Sequence, residues 1–440
     1  MADRIGDFPA QHFSEGAADA GATAGVAGGR RFPKEQRPGY LFVLPWSFSV
    51  LSGGVNQVVL NLARAMQATG SYEPIVLCLD WSATEPAWEE EHGIRTVRLR
   101  VRSFDPEMGW KARVAYWAWE KRFRKRFERL RTELQLCAVN LHYVGAVAFT
   151  LERLCRLGSS PLPLLLSFHG QDVTDIGKGR TRSIVRWRNC LAGARAAVVC
   201  SRDLGEKLVD TVGGPVVPTV IYNGIDGKFL VETAETAPKP VGRRYILNIG
   251  RFEWKKGQDI LIEAFSEIAD HYPDLDLVLV GASDRMLIKL RKLSVRKGLG
   301  GRVHFHVDRP HVEIGDFLRN AELLALPSRS EPFGIVLVEA GILGIPVIAA
   351  AVGGIPELIS DGTTGRLVPS ESPAELARGL RSLLDDPDGR RTLGARLREH
   401  IATNFTWKMA HDRYRDVVES ERDPRIPFST GKTIESGRAG

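Results

Sequence analysis

Short apolar runs alternate along the chain with segments whose apolar positions return every third or fourth residue. Tyr40-Leu-Phe-Val-Leu44 reads as a buried strand. After Ser52-Gly-Gly54, a helix follows with Val58, Val59, Leu62, Ala63 and Met66 on one face. Further strands are predicted at 75–79, 96–101, 139–142, 164–168, 196–200 and 217–222, with helical patterns between them. Alternation of this kind predicts a parallel sheet covered on both faces. A polar, proline-containing stretch from Val231 to Val241 interrupts the pattern and reads as a linker. The alternation restarts with strands at 245–250, 275–281, 303–307, 323–327 and 347–351, and helices at 259–271, 286–297 and 334–343. The expected organisation is two Rossmann-like αβα domains of comparable size, residues 38–230 and 242–404. Residues 1–37, rich in Ala and Gly, and residues 422–440 read as flexible tails. A ligand between the domains would meet loops at the carboxyl ends of both sheets.

Composition narrows the class. With 440 residues, 43% hydrophobic and 26% charged, the chain has material for two cores and is no disordered, collagenous or disulfide-stapled protein. Its five cysteines form no C-x-x-C pair, which suits reduced thiols in the cytosol. Met1–Ala10 carries Asp3 and Asp7 and no apolar core, so it does not read as a secretory signal. Gly334–Ile355 has a single charge, Glu339, but five glycines and Pro346 suit a helix, a turn and a strand better than a membrane span.

The charge is unevenly placed. The formal net charge is +7, and Arg95–Arg131 alone holds 13 basic and 4 acidic residues. In and just past that segment Tyr116, Trp119, Phe123, Phe127, Leu130 and Leu134 recur as one apolar stripe, on a helix expected at 110–131 and its continuation. Lys121, Arg122, Arg124, Lys125, Arg126 and Arg129 lie largely off the stripe. Two readings stand side by side: a core-facing helix with a solvated basic back, or a helix drawn to an anionic membrane or a pyrophosphate-bearing acceptor. No nucleic-acid-binding motif accompanies it.

Candidate chemistry follows the strands of the second domain. Gly250-Arg251 and Lys255-Lys256-Gly257 supply a fork-shaped and a point cation, suited to a diphosphate. Ser330-Glu331-Pro-Phe-Gly334 precedes a helix that contains Glu339 in an apolar setting. A charge there must be paired or functional, and a helix N-terminus favours phosphate. Paired carboxylates also fit a glycosidase. Gly353-Gly-Ile-Pro-Glu357 adds a second flexible turn, and the first domain carries His169-Gly170-x-Asp172 and Asn223-Gly-Ile-Asp226. His304 and His306 alternate on one strand with no third metal ligand in view, and Asp274-x-Asp276 is formally a D-x-D metal motif.

Taken together and in order, G-R-x4-K-G, S-E-P-F-G-x4-E-A, G-G-I-P-E, H-G-x-D and N-G-I-D resemble the family 4 retaining glycosyltransferases of the GT-B fold, from about Tyr40 to Val418. The resemblance implies two Rossmann-like domains whose parallel sheets face a central cleft, and a C-terminal helix, 405–421, that crosses back to the first domain. It implies a hexosyltransferase that uses a nucleotide-diphosphate sugar, with no metal and no other cofactor. By this resemblance Arg251 and Lys256 hold the diphosphate. Glu331 and His169 contact the donor sugar and carry the catalysis. Glu339 takes the ribose, the Phe333-Gly334-Ile335 backbone meets sugar and phosphate, and Gly54 lets the acceptor-side loop approach. Related glycogen synthases carry Lys where this chain has Leu51, which argues against that branch. The expected acceptor is a lipid-linked or polysaccharide-precursor glycan, met in the cytoplasm or at the inner face of the cell membrane. An epimerase or phosphorylase of the same fold, and an inert partner subunit, are the alternatives.

Overall fold

In the computed structural model the described residues are 37–48, 54–83, 85–104, 108–225 and 241–420, without the side chains at 311 and 312. The expected tails apart from Arg37, the linker up to residue 240, and Leu51, Ser52, Gly53 and Asp226 lie outside them.

The first sheet has eight strands: β1 (Gly39–Leu44), β2 (Glu73–Leu79), β3 (Ala87–Glu91), β4 (Ile94–Leu99), β5 (Leu136–His142), β6 (Leu164–Phe168), β7 (Ala196–Val199) and β8 (Thr219–Val220). Their order is β3-β4-β2-β1-β5-β6-β7-β8, and all pairs are parallel except β3 with β4. Every residue of β1, β6 and β7 is buried. Helices α1 (Gly54–Thr69), α2 (Trp110–Glu133), α3 (Val147–Arg156), α4 (Gln171–Gly177), α5 (Thr181–Gly193) and α6 (Arg202–Val212) connect the strands. A strand buried on both faces has no polar side to spare, so its sequence is a continuous apolar run. That explains why these strands stand out in the chain and β3 does not. β3 reads Ala-Trp-Glu-Glu-Glu on an exposed edge, and β8 is shorter than the expected 217–222.

The second sheet is fully parallel, in the order β11-β10-β9-β12-β13-β14. Its strands are β9 (Arg244–Ile249), β10 (Leu275–Gly281), β11 (Val303–Val307), β12 (Leu323–Leu326), β13 (Val347–Ala350) and β14 (Arg366–Val368). Around it lie α7 (Gln258–Ile268), α8 (Leu287–Arg296), α9 (His311–Arg319), α10 (Ile335–Ile342), the short α11 (Ile355–Leu358), α12 (Pro373–Asp385) and α13 (Pro387–Asn404). The strand order reverses between β1 and β5 in one sheet and between β9 and β12 in the other. Open α/β sheets form their ligand crevice outside the carboxyl ends of such strands.

The last helix, α14 (Trp407–Glu419), lies on the first domain. Tyr72 donates from its hydroxyl to Glu419 (2.6 Å), and His411 Nε2 meets Ser71 Oγ at 2.7 Å. Tyr414 Oη lies 3.2 Å from Ser167 Oγ. Gly224 has no room for a side chain because the backbone of Thr406 and Trp407 occupies that space. Ile225 N donates to Phe405 O (3.0 Å). The chain thus returns to the first domain beside Asn223-Gly-Ile225. Among the described residues no helix is long and apolar enough to cross a membrane. Gly334–Ile355 forms α10, a turn and β13.

Candidate active site

The second-domain half of the site is assembled at its switch point. β9 ends at Ile249, and Gly250-Arg251 leads into a single 3-10 turn, Trp254–Lys256. Gly257 closes that turn at φ 66°, where a Cβ would run into Pro327 O, so only glycine fits. Arg329 secures the turn from the β12 side. Its guanidinium grips both oxygens of Asp259 (2.8 Å each), donates to Trp254 O and lies over the Trp254 ring. The backbone N–H of Arg329 donates to Lys255 O (2.8 Å).

This scaffold points Lys256 at the next loop. Lys256 Nζ donates to Glu331 Oε2 at 2.8 Å, and the Glu331 side chain is only 9% exposed. Burial opposes the ammonium charge, but the Glu331 carboxylate outweighs it and raises the Lys256 pKa above its ordinary value. Gly353 and Gly354 pack directly on Glu331 and Pro332: Gly354 N donates to Glu331 O (3.0 Å), and a Cβ on Gly353 would overlap the same oxygen. Gly334, at φ 97°, then opens α10, which carries Glu339 buried in its middle. Phe333 turns its side chain into the apolar packing with Tyr222 and Phe405.

The first-domain half comes from β5 and β6. His169 follows β6, and its turn is organised by Asp172. That buried carboxylate accepts N–H bonds from Val144, His169, Gly170 and Val173, at 2.8 to 3.1 Å. Burial raises the Asp172 pKa, the four amides pull it part of the way back, and the net is about 6. Gly170 is at φ 112°, and a Cβ there would strike Pro332. His169 Nε2 lies 3.1 Å from Nδ1 of His142, the last residue of β5.

Several contacts bring the halves together. Gly170 abuts Pro332, Gly54 faces Ile335, where an added Cβ would lie in ordinary contact at 3.5 Å, and Lys255 Nζ donates to Gln171 Oε1 (3.1 Å). Another is electrostatic. Glu357 of the second domain accepts from Arg202 N (2.8 Å) and Asp203 N (3.2 Å), the first two amides of α6, while Ser201 Oγ accepts the third from Leu204 N. Tyr222 also donates to Glu357 (2.8 Å). One carboxylate therefore satisfies a helix N-terminus in the other domain.

The structure gathers His169, Gly54, Lys256, Glu331, Phe333, Gly334 and Ile335 at this junction. Arg251 sits on its rim, 37% exposed and 4.0 Å from Asp284, and Glu339 lies one turn into α10. Sequence reasoning missed the cross-domain roles of Lys255, Gln171 and Glu357, and the partnership of His142 with His169. The signal that singled out His169, a histidine ending a buried strand at the ligand face, applies equally to His142. The D-x-D aspartates are placed elsewhere. Asp276 is at the amino end of β10, bonded to His304 Nε2 (2.8 Å) and flanked by Arg243 and Arg302. His306 packs edge-on against Phe317.

Two family models match adjoining parts of the chain: Glycosyltransferase Family 4 over residues 52–229, and Glycosyl transferases group 1 over residues 232–400. D-inositol 3-phosphate glycosyltransferase 1 of Catenulispora acidiphila is 38% identical over 40% of this chain and 45% of its own length. The glycogen synthase of Mycobacterium tuberculosis is 29% identical over 52% of this chain and 57% of its own. The chain thus aligns with less than half of the first of these relatives and little more than half of the second. Among solved structures, sucrose-phosphate synthase from Thermosynechococcus elongatus superposes with a TM-score of 0.67 at 23% identity, covering 86% of this chain and 98% of that one. Anabaena HepE, in complex with UDP and glucose, gives 0.68 at 19% identity, covering 86% and 99%. The two matched models together take in most of the chain, and on that ground, with the two facing parallel sheets, the protein belongs to the family 4, group 1 glycosyltransferases of the GT-B fold.

Proposed function

We propose that the protein is a retaining hexosyltransferase that moves a sugar from a nucleoside diphosphate to an acceptor hydroxyl. The observation that carries the reading is the Lys256–Glu331 pair, with its buried carboxylate, held against the His169-Gly170 turn through Pro332. In this reading Arg251, Lys256 and the amino end of α10 stabilise the departing diphosphate, where charge develops. Glu331 and His169 hold the sugar and Glu339 the ribose. The bond from C1 to the diphosphate oxygen breaks, and C1 bonds to the acceptor oxygen on the same face. The acceptor proton passes to the leaving phosphate. The test is a thermal-shift panel of UDP, GDP and ADP with their sugars, UDP first because the HepE structure holds it. A ligand at 100 times its Kd is expected to add about 2.7 kcal/mol. Absence of a shift with any nucleotide would overturn the reading.

We further propose a lipid-linked acceptor reached from an anionic membrane surface. Support comes from the two faces of α2. Tyr116, Phe123, Phe127 and Leu130 face the core, and the buried Glu120 is bound by Arg153 (3.0 Å). On the opposite face Trp110, Val114 and Trp117 are 71%, 56% and 54% exposed, and Lys121, Arg124 and Lys125 continue the same line. Aromatic residues beside cations suit the headgroup region of a bilayer. Sedimentation with vesicles of anionic lipid should fall on Lys121→Gln/Lys125→Gln by about tenfold or more, at about 1 kcal/mol per basic residue. It should fall on Trp110→Ala/Trp117→Ala as well, and only the lysine effect should shrink at high salt. Wild-type protein that ignores such vesicles would leave α2 a solvated face.

A further inference from the structure

His142 is fully buried at the end of β5, between the Phe42 ring (centroids 5.7 Å apart) and the Tyr414 ring (6.5 Å). Its ring lies 5.2 Å from that of His169, tilted by 30°, and the two histidines face each other Nδ1 to Nε2 across 3.1 Å. His142 Nε2, the nitrogen on the far side, is buried and has no hydrogen-bond partner among the described residues. Among the described residues no hydrogen bond or ion pair joins a carboxylate to either ring, and Asp172 is occupied by its four amides. Burial depresses the basicity of both, His169 to about 4, and a charge on His169 would lower His142 further.

Two neutral imidazoles that share one hydrogen bond hold a single proton between the facing nitrogens. Suppose His169 donates from Nε2. His142 must then carry its proton on Nε2, an N–H with nothing to accept it. Suppose instead that His142 donates from Nδ1. The buried Nε2 is then a bare lone pair. An orphaned buried N–H is the rarer and costlier defect, as it is for backbone groups.

We propose that His142 is a positioning residue whose Nδ1–H donates to His169 Nε2, fixing His169 as the tautomer that offers an Nδ1–H to the donor sugar. The final clause rests on the transferase reading, and the tautomer does not. In that reading His169 serves as a neutral hydrogen-bond donor to a sugar oxygen. β5 and β6 are adjacent parallel strands, with His142 in register with Ser167, so the pairing is built into the sheet rather than into a loop.

The test is long-range proton–nitrogen spectroscopy on full-length protein labelled in its histidines, with the His169 signals identified by their loss in His169→Gln. Expected in wild type is a protonated Nδ1 and a bare Nε2 on His169. His142→Asn keeps an amide donor near the Nδ1 position and should preserve that pattern. His142→Asp presents an acceptor and should move the proton to Nε2. A His169 proton on Nε2 in wild type would overturn the proposal, whatever the activity. Transfer should fall about 3- to 10-fold in His142→Phe, the worth of one neutral hydrogen bond, with free nucleotide affinity unchanged. His142→Asn should come closer to wild type. Equal losses in the two variants, with melting temperatures alike, would refute positioning. If wild type shows the expected tautomer but transfers no sugar, the transferase reading falls and the tautomer assignment stands.

Discussion

Lys256→Ala is expected to weaken nucleoside-diphosphate binding by roughly 10- to 100-fold, because a hydrogen bond to a charged group is worth about 1.5 to 3 kcal/mol and each 1.4 kcal/mol is tenfold. The same change removes the partner of a carboxylate that is 9% exposed. Breaking one side of a buried ion pair is destabilising, because the remaining charge is left in the interior. The single variant should therefore lose thermal stability as well as affinity. The double variant Lys256→Ala/Glu331→Gln removes the stranded charge and should recover part of the stability while nucleotide affinity stays low. Calorimetry at a temperature where all variants are folded separates the two effects. Unchanged affinity in both would remove Lys256 from the diphosphate site and leave its bond to Glu331 purely structural.

Glu331→Gln should depress transfer by roughly 10- to 100-fold, on the same value for a charge-assisted bond, while nucleotide binding survives. Glu339→Gln should instead weaken the nucleotide itself. The difference follows from position. Glu331 is in the loop that meets Lys256 and the His169-Gly170 turn, whereas Glu339 is one turn inside α10. A glycosidase using the same two carboxylates would lose hydrolysis of a simple aryl glycoside with either change and need no nucleotide. Assaying both variants on nucleotide-sugar and aryl-glycoside substrates decides between the two chemistries. Aryl-glycoside turnover by wild type without nucleotide would sink the transferase. Equal nucleotide affinity in Glu339→Gln and wild type would refute only the role given to Glu339.

How far the sequence reaches depends on what holds each element. β1, β6 and β7 are buried on both faces, so their apolar runs are unmistakable in the chain. β3 is held by cross-strand partners: Arg98 pairs with Glu89 and Glu91 at 3.1 Å, and Arg95 covers Trp88. None of this has a period to detect. The glycine motifs are legible because backbone collisions enforce them, as at Gly257 against Pro327 and Gly353 against Glu331. Which of two adjacent lysines meets Glu331 is set by the 3-10 turn, which sends Lys256 to Glu331 and Lys255 to Gln171. The His142–His169 pair arises from strand adjacency. The bond from Glu357 to Arg202 N links positions 155 residues apart. Nothing local in the chain announces either.

The Glu357 contact limits how this protein can be recombined with its relatives. Two of the three leading amides of α6 are satisfied by a side chain encoded in the other domain, and α14, encoded last, completes the surface of the first. A hybrid enzyme joined between residues 225 and 241 would look modular on paper. With a donor half that lacks a carboxylate at position 357, it would leave Arg202 N and Asp203 N without their acceptor. With its own C-terminal segment exchanged, it would set a foreign helix against Ser71 and Ser167. The unit that can be transplanted intact is thus larger than either domain: it includes position 357 with the Arg202–Asp203 turn, and α14 with the face it covers.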